Sequence, residues 1–199
     1  MNGNNLIILG GKTTPIQFSH EFKNEKFYSF SLSTTRTSGT SDVLHCIVPE
    51  VLKDKITEQI EIIGEVRTRN LRDNGQNHCE LYVFVTDTKP YTVDKNIVEL
   101  DGFVCKKPIY RETPLGRQIT DIMFAVNRRV GCDYVPCVVW GRSALNVAEH
   151  TVGTHLLLNG RLQSRVYEKK IDTDMVEIRT TYEVSVANIW EAESGKVTN

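Results

Sequence analysis

Three aromatic and two arginine side chains alternate with apolar ones along two segments of the chain, 133–140 and 160–167. Side chains two residues apart lie on the same face of a β-strand. This spacing predicts an outer face that carries rings and guanidinium groups, and an inner face that is apolar. The outer set is Tyr134, Trp140, Tyr167, Arg161 and Arg165, with Pro136, Val138 and Gln163 on the same face. The inner set is Val135, Cys137, Val139, Leu162 and Val166.

The outer set has the chemistry needed to hold a single nucleic-acid strand. Flat rings stack on unpaired bases and guanidinium groups bind phosphates, so such a face holds a strand without reading its sequence. One such aromatic alone is more often a packing residue, but three of them interleaved with arginines favour a binding face. Four further arginines lie in or beside predicted loops, where the alternative is a solvated charged surface: Arg111, Arg117, Arg128 and Arg129.

Composition narrows the class of protein. The 199 residues carry a net charge of -1, so the overall basicity that often marks nucleic-acid binders is missing. Residues 1–94 hold 10 Lys and Arg against 12 Asp and Glu, whereas residues 95–190 hold 13 against 11. Five irregularly spaced cysteines and the absence of a basic-then-apolar leader favour a reducing cytoplasm. The apolar run Leu6–Leu9 is too short to span a membrane.

The order of sequence features recurs at an offset of 91 to 101 residues, which indicates two copies of one domain. Matched positions are Asn5, Leu9 and Gly11 with Asn96, Leu100 and Gly102; Asp42, Cys46 and Val48 with Asp133, Cys137 and Val139; Gly64–Arg69 with Gly160–Arg165; and Val83 and Val85 with Val184 and Val186.

Strand signals dominate both copies, and only two stretches have a helical pattern. These are Glu50–Ile60, which follows Pro49, and Ala144–Glu149, with Ser143 as the predicted N-cap. A helix between the third and fourth of five strands is typical of an OB barrel. The sequence therefore predicts a mainly β protein of two tandem OB-type five-stranded barrels, each with one short helix between strands 3 and 4.

The predicted boundaries place the first barrel at residues 1–90 and the second, main strand-binding barrel at 95–190. A linker is expected at 89–94 and a short C-terminal tail at 191–199. Within the first barrel, Asp73-Asn74-Gly75 has the composition of a tight primed turn. In the second, residues 167–175 predict a longer charged connection that folds over the bound strand.

The second half, residues 95–190, resembles the bacterial single-stranded DNA-binding protein family. The segments that carry the resemblance are Asn96–Gly102, Arg111–Gly116, Phe124–Arg128, Asp133–Arg142 and Gly160–Arg165. It implies an OB fold and cytoplasmic, nucleoid-associated binding of exposed strands in replication, recombination or repair. It also implies particles presenting four barrels, here a homodimer, with possible replication or repair proteins as partners. Base stacking by Tyr134, Trp140 and Tyr167 is implied as well, in agreement with the face pattern.

Two departures from the family qualify this expectation. Members commonly end in an acidic, apolar tip that recruits repair enzymes, whereas residues 193–199 lack it, so recruitment through such a tip is not expected. The first copy lacks the stacking set: its matching positions hold Val43, Pro49, Leu71 and, in place of Arg161, Glu65. We therefore expect the first barrel to be structural or subunit-contacting. A relocated aromatic platform made by Phe27, Tyr28 and Phe30 is the alternative, although core packing is favoured for them.

Other chemistries are not expected. A phosphate loop at 9–13 fails because its first glycine would fall on Leu6. His45-Cys46 and His78-Cys79 do not predict zinc, because adjacent strand residues face opposite sides. No serine, histidine and acid arrangement stands out, so we expect a non-enzyme without cofactor or metal. Two alternatives remain open: a protein-interaction or recombination-mediator OB protein that uses the same face, and an RNA-binding OB protein.

Overall fold

The computed structural model describes residues 5–73, 76–172 and 175–192, and within 71–78 and 168–177 it describes the backbone alone. The elements of the first half are β1 Asn5–Thr13, β2 Gln17–Phe22, β3 Glu25–Thr35, β4 Ser41–Pro49, α1 Glu50–Lys53, β5 Gln59–Asp73 and β6 Gln76–Pro90. Those of the second half are β7 Lys95–Val104, β8 Ile109–Glu112, β9 Gln118–Asn127, β10 Cys132–Trp140, α2 Arg142–Ala148, β11 His155–Asp172 and β12 Met175–Glu191.

Five strands close into a barrel in each half. The first barrel has the order β3-β4-β6-β5-β1, and β1 returns to pair with β3. The second has the order β9-β10-β12-β11-β7, and β7 returns to pair with β9. A short additional strand extends each sheet, β2 beside β3 and β8 beside β9, so the described part of each half holds six strands rather than the five predicted.

Glycine is required where each barrel closes. A Cβ atom on Gly11 would overlap the carbonyl oxygen of Ser33, and one on Gly102 would overlap that of Ala125. These overlaps lie at the β1–β3 and β7–β9 contacts, respectively. A residue with a side chain would push the closing strands apart, which explains why both repeat copies have glycine at this position.

The two barrels share one continuous sheet of 12 strands. The barrels are connected within this sheet by the antiparallel pairing of β1 with β7. The paired residues run from Asn5 with Leu100 to Gly10 with Lys95. On either side of this pairing the repeat makes the same contact. The Asn5 side-chain amide donates to the Val66 carbonyl and accepts from the Val66 N–H, at 2.8 and 2.9 Å. Asn96 does the same with Leu162, at 2.6 and 2.9 Å.

Apolar side chains at alternate strand positions fill the interior. Along β10, Val135, Cys137 and Val139 are buried while Tyr134 and Trp140 are exposed, as the period of two predicts. Val138 is buried as well, so the prediction that it lies on the outer face is wrong. Cys46 and Cys137 are both buried at equivalent positions, and burial raises the pKa of each thiol above its ordinary range. The prediction that these two cysteines are core residues is confirmed.

Both helices differ from their predicted bounds. Helix α1 ends at Lys53 instead of reaching Ile60, because Asp54 caps it and the alternating Ile60 and Ile62 belong to β5. Helix α2 begins at Arg142, and its N-cap is Gly141 instead of Ser143. The backbone of Gly141 has φ 65°, a conformation that glycine adopts without strain.

The connections between the strands also differ from those predicted. β6 continues through Pro90, which pairs with Ile60, so residues 91–94 alone separate the barrels. β11 and β12 pair as far as Asp172 with Met175, so most of the predicted 167–175 connection is strand. Because this hairpin extends past the barrel, Val166 is 65% exposed and the prediction that it points inward is wrong. Residues 74, 75, 173 and 174 lie outside the described residues, and the tail does too from residue 193.

No helix among the described residues is long and apolar enough to cross a membrane.

Candidate nucleic-acid interface

A cleft of about 830 Å³ lies between the two barrels. One side is formed by the first barrel's β5 and β6, through Thr68, Asn70 and Leu81. The other side is formed by β10, β11 and β12 of the second barrel, and it includes Tyr134 and Tyr167. The cleft therefore depends on residues more than 60 positions apart, which the joined sheet brings together.

Tyr134 and Tyr167 are the two predicted stacking residues that line this cleft. Tyr134 lies near the start of β10 and is 51% exposed, and Tyr167 lies on the extended part of β11 and is 41% exposed. Pro136, two positions from Tyr134, lines the cleft on the same face. A third ring, Tyr182 on β12, is half-buried, and burial raises the pKa of its hydroxyl. The cleft thus has aromatic surface at the positions that the face pattern predicted.

Hydrogen bonds between the barrels hold the cleft in place. Asp133 is fully buried, and its carboxylate accepts from the Thr68 backbone N–H at 2.7 Å and from the Thr68 hydroxyl at 3.2 Å. The Thr68 hydroxyl oxygen also accepts from the backbone N–H of Tyr134 at 3.2 Å. Because Tyr134 is the next residue after Asp133, these bonds fix the strand that presents its ring.

Trp140 is at the other end of β10 and does not line the cleft. Six residues separate it from Tyr134, which is roughly 20 Å along a strand. Its indole Nε1–H donates to the Ser185 hydroxyl at 3.1 Å, and the ring stays 38% exposed. Trp140 therefore presents an exposed ring on the same barrel, apart from the cleft.

Arg161 lies at the junction of the barrels instead of beside the tyrosines. It is half-buried, and burial, followed by the nearby Arg36, lowers the pKa of its guanidinium. Asp42 acts in the opposite direction. The Nη2–H group of Arg161 donates to the side-chain oxygen of Gln163 at 3.4 Å.

The remaining predicted arginines fall into two groups. Arg128 pairs with the buried Asp133 at 3.0 Å, and Arg111 pairs with Asp121 through two hydrogen bonds of 2.5 and 3.1 Å. The charges of these two are therefore balanced locally. Arg117 and Arg165 are exposed and make no ion pair with a described residue. Sequence alternation alone does not show this difference, because it depends on the register of β8 with β9 and on the barrel junction.

An aromatic surface on the first barrel was only partly anticipated. A small cavity of about 260 Å³ is lined by five rings from β2, β3 and β6, by Ile47 and by two arginines. The rings are His20, Phe22, Phe27, Tyr82 and Phe84, and the arginines are Arg67 and Arg128. Phe27, one of the three residues considered for a relocated platform, is among them. Phe30 is in the core instead, and Tyr28 packs against the core and donates from its hydroxyl to Glu50 at 3.2 Å. The missed signal is the alternation of Tyr82 and Phe84 with the buried Leu81, Val83 and Val85.

The whole chain has the fold of a known two-barrel protein. It superimposes on the wild-type single-stranded DNA binding protein from Thermus aquaticus with a TM-score of 0.79 at 20% identity, over 100% of this chain and 98% of that one. This similarity confirms the predicted fold class, two tandem OB-type barrels.

Sequence similarity centres on one family. The model of the single-strand binding protein family matches residues 95–190. The chain is 36% identical over 86 residues to a single-stranded DNA-binding protein of Clostridium tetani, covering 39% of this chain and 59% of that protein. It is 34% identical over 83 residues to single-stranded DNA-binding protein B of Bacillus subtilis, covering 38% of this chain and 74% of that protein. The first of these matches spans about three-fifths of its relative, and a Staphylococcus aureus relative is spanned over 50% of its length. Together with the fold, these matches show that the chain belongs to the single-strand binding protein family.

Proposed function

We propose that this chain binds single-stranded DNA without sequence preference in the cleft between its barrels. One observation carries the proposal: Tyr134 and Tyr167 come from different strands, remain about half exposed, and line the same cleft. Exposed rings in an open cleft gain free energy by stacking on bases, about 1 to 3 kcal/mol for each base. The names of the Clostridium tetani and Bacillus subtilis relatives support DNA as the strand.

The proposed mechanism has no chemical step, in keeping with a family of binding proteins that are not enzymes. The exposed guanidinium groups of Arg117 and Arg165 attract the phosphate backbone, and counterions are released as the strand binds. Bases then stack on Tyr134 and Tyr167 in the cleft, and on Trp140 where the strand continues along the barrel. Because every base has a π-face, little sequence preference results.

The remaining arginines of the predicted set have a smaller role in attraction. Arg111 and Arg128 already face carboxylates, and Arg161 lies partly buried at the junction. We expect them to orient phosphates by the donor groups that their partners leave unused, since a guanidinium has five N–H donors.

The two barrels are proposed to have different tasks. The second barrel, residues 95–190, supplies all three stacking residues and most of the arginines. The first barrel, residues 1–90, supplies the opposite side of the cleft through Thr68, Asn70 and Leu81. It therefore shapes the site even though its equivalent stacking positions hold Val43, Pro49 and Leu71.

The cellular role is proposed from the family. Protection of exposed strands during replication, recombination or repair, in the cytoplasm at the nucleoid, is what a protein with this site would do. A homodimer would present four barrels to the strand. Sedimentation equilibrium tests the assembly: a mass of two chains that holds on dilution supports the dimer, and a constant single-chain mass contradicts it.

The decisive experiment titrates fluorescently labelled oligo-dT with the full-length chain at low and high salt. Binding should be tight at low salt, weaken steeply with salt, and be absent with matched duplex DNA. Tyr134→Ala and Tyr167→Ala should each lower the affinity about 5- to 100-fold, from the loss of one stacking contact. Phe18→Ala is the control, because Phe18 is an exposed ring that packs on Tyr28 away from the cleft.

Each contrary result has a defined meaning. No binding of oligo-dT by the folded wild type at low salt would refute the proposal and favour a protein partner for the same face. Equal affinity for oligo-U would mean that the chain binds single-stranded RNA as well as DNA. Unchanged affinity in both folded tyrosine variants would place the strand elsewhere on the surface.

A further inference from the structure

Six of the eight residues around the small cavity of the first barrel form a surface that the cleft does not use. We name His20, Phe27, Tyr82, Phe84, Arg67 and Arg128 the first-barrel aromatic surface. The His20 ring stacks on Phe27, with centroids 5.0 Å apart and planes 16° from parallel. Phe27 in turn lies 6.2 Å from Phe84 at an interplanar angle of 48°. The rings are thus contiguous, and they lie on β2, β3 and β6 outside the barrel core.

Cations lie on and beside these rings. The Arg67 guanidinium lies 5.6 Å from the centre of the Phe84 ring, and that of Arg69 lies 5.4 Å from the Tyr82 ring. Arg128 reaches the same cavity from the second barrel. Each has an acidic partner, Glu65, Glu80 and Asp133 respectively, so the net charge here is close to balanced. The Nε of Arg67 is buried and makes no hydrogen bond with a described residue.

The repeat shows that this surface corresponds to a stacking position of the second barrel. Cys46 pairs with Val83 across β4 and β6, and Cys137 pairs with Val184 across β10 and β12. In the second barrel the next residue after Val184 is Ser185, whose hydroxyl accepts from the Trp140 indole at 3.1 Å.

The first-barrel equivalents of Ser185 and Trp140 are Phe84 and Pro49. Phe27 pairs directly with Pro49 in the register of β3 with β4. The ring that β10 supplies in the second barrel is therefore replaced by rings from the two strands that flank β4. Where the second barrel has Trp140, the first barrel has Pro49, and its rings lie on the neighbouring strands at the corresponding part of the barrel.

The state of His20 fits stacking. Burial, followed by the nearby Arg69, lowers the pKa of its imidazole below the ordinary value of 6.5. The ring is therefore mostly neutral at pH 7, and a neutral, flat ring already aligned with Phe27 extends the apolar platform without carrying a charge of its own.

We infer that the first-barrel aromatic surface is a second contact site for the same single strand, at positions displaced from those of the second barrel. This inference rests on the proposed function. Contiguous rings with arginines beside them suit bases and phosphates better than an apolar protein segment, which needs no guanidinium groups. Because the local charge is nearly balanced, the site should contribute stacking more than salt-dependent attraction.

The test uses the full-length chain and a long labelled oligo-dT. Phe84→Leu removes the ring but keeps an apolar side chain, so it preserves the fold where Phe84→Ala risks disturbing it. We expect Phe84→Leu and Phe27→Leu each to weaken binding of the long oligonucleotide about 5- to 100-fold. The matched control Phe18→Leu, an exposed ring on the same β2–β3 hairpin, should leave affinity unchanged. Circular dichroism and the unfolding midpoint verify the fold of each variant.

A second arm separates this inference from the proposed function. The double variant Tyr134→Ala/Tyr167→Ala should retain weak binding, and adding Phe84→Leu should weaken that binding further. Oligo-dT carrying 5-iodo-deoxyuridine should photocross-link to Phe27 or Phe84 as well as to Tyr134 or Tyr167. The inference would be overturned, and the proposed function kept, if Phe27→Leu and Phe84→Leu bound oligo-dT as tightly as the wild type and all cross-links lay in the second barrel. Failure of the wild type to bind any oligo-dT would overturn the proposed function as well.

Discussion

The carboxylate of Asp133 in the second barrel accepts two hydrogen bonds from Thr68 in the first, at 2.7 and 3.2 Å. The repeat equivalents of these residues make the reciprocal contact. Asp42 in the first barrel accepts from the backbone N–H of Ser164 in the second at 3.1 Å. The start of β10 therefore contacts β5 of the first barrel, and the start of β4 contacts β11 of the second. These two equivalent contacts give the junction an approximate two-fold symmetry.

Asp133→Ala should strongly destabilise the chain, because it removes the buried partner of Arg128 and leaves the Thr68 N–H without its acceptor. Breaking one side of a buried ion pair costs about 3 to 5 kcal/mol. Asp121→Asn is the control: the exposed pair with Arg111 should cost about 0 to 1 kcal/mol. Urea unfolding with both variants measures the difference. If Asp133→Ala lost as little unfolding free energy as Asp121→Asn, the junction would contribute little to the stability of the chain.

Trp140→Ala should weaken binding in a way that depends on strand length, because Trp140 lies outside the cleft. Oligonucleotides of about 4 nucleotides, held in the cleft, should bind the variant as they bind the wild type. Those of about 16 nucleotides should lose about 1 to 3 kcal/mol of binding free energy. Titration of the two lengths is the measurement, and Trp190→Ala is the control for an exposed indole at another site. An equal loss at both lengths would place Trp140 on the path of every bound strand.

Much of this arrangement could be predicted from sequence because it is local. The period of two places Tyr134 and Trp140 outside and Val135 inside, and the repeat register predicts two barrels of the same type. The other side of the cleft could not be predicted in this way. Thr68 and Asn70 reach Tyr134 only because β1 pairs with β7, and alternation within a strand carries no information about such pairing.

The features that the sequence did not predict have the same physical origin. Strand alternation places Val166 on the inward face, but this part of β11 extends beyond the barrel, where there is no core, so the side chain is exposed. Arg111 remains a predicted phosphate contact, but the register of β8 with β9 places it opposite Ile119, and its side chain reaches diagonally to pair with Asp121. Residue type predicts what a side chain can do, and the strand partner decides what it contacts.

Arg165→Gln should reduce the salt dependence of binding more than Arg111→Gln. Arg165 is exposed and makes no ion pair with a described residue, so a phosphate is the partner available to it. Its loss should lower the slope of log affinity against log salt by about 1. The charge of Arg111 is already balanced by Asp121, so its slope should change less. Affinities measured at four or more salt concentrations give both slopes, and a larger change for Arg111→Gln would contradict the assignment.

Acidification from pH 7.5 to 5.5 should lower the free energy of unfolding, and His45 should account for part of the loss. Burial is the main cause that lowers the pKa of His45 below 6.5 in the folded chain, and the nearby Glu80 only partly opposes it. The unfolded state then binds more protons, so stability is fully present above pH 6.5 and falls as the pH drops through the folded pKa.

His45→Gln removes this titration while keeping a polar side chain of similar size. Its free energy of unfolding should therefore fall less between pH 7.5 and 5.5 than that of the wild type, as measured by urea unfolding at both pH values. His20 shifts in the same direction, so His20→Gln provides a comparison on a less buried ring and should give a smaller effect. If His45→Gln had the same pH dependence of stability as the wild type, His45 would have its ordinary pKa in the folded chain.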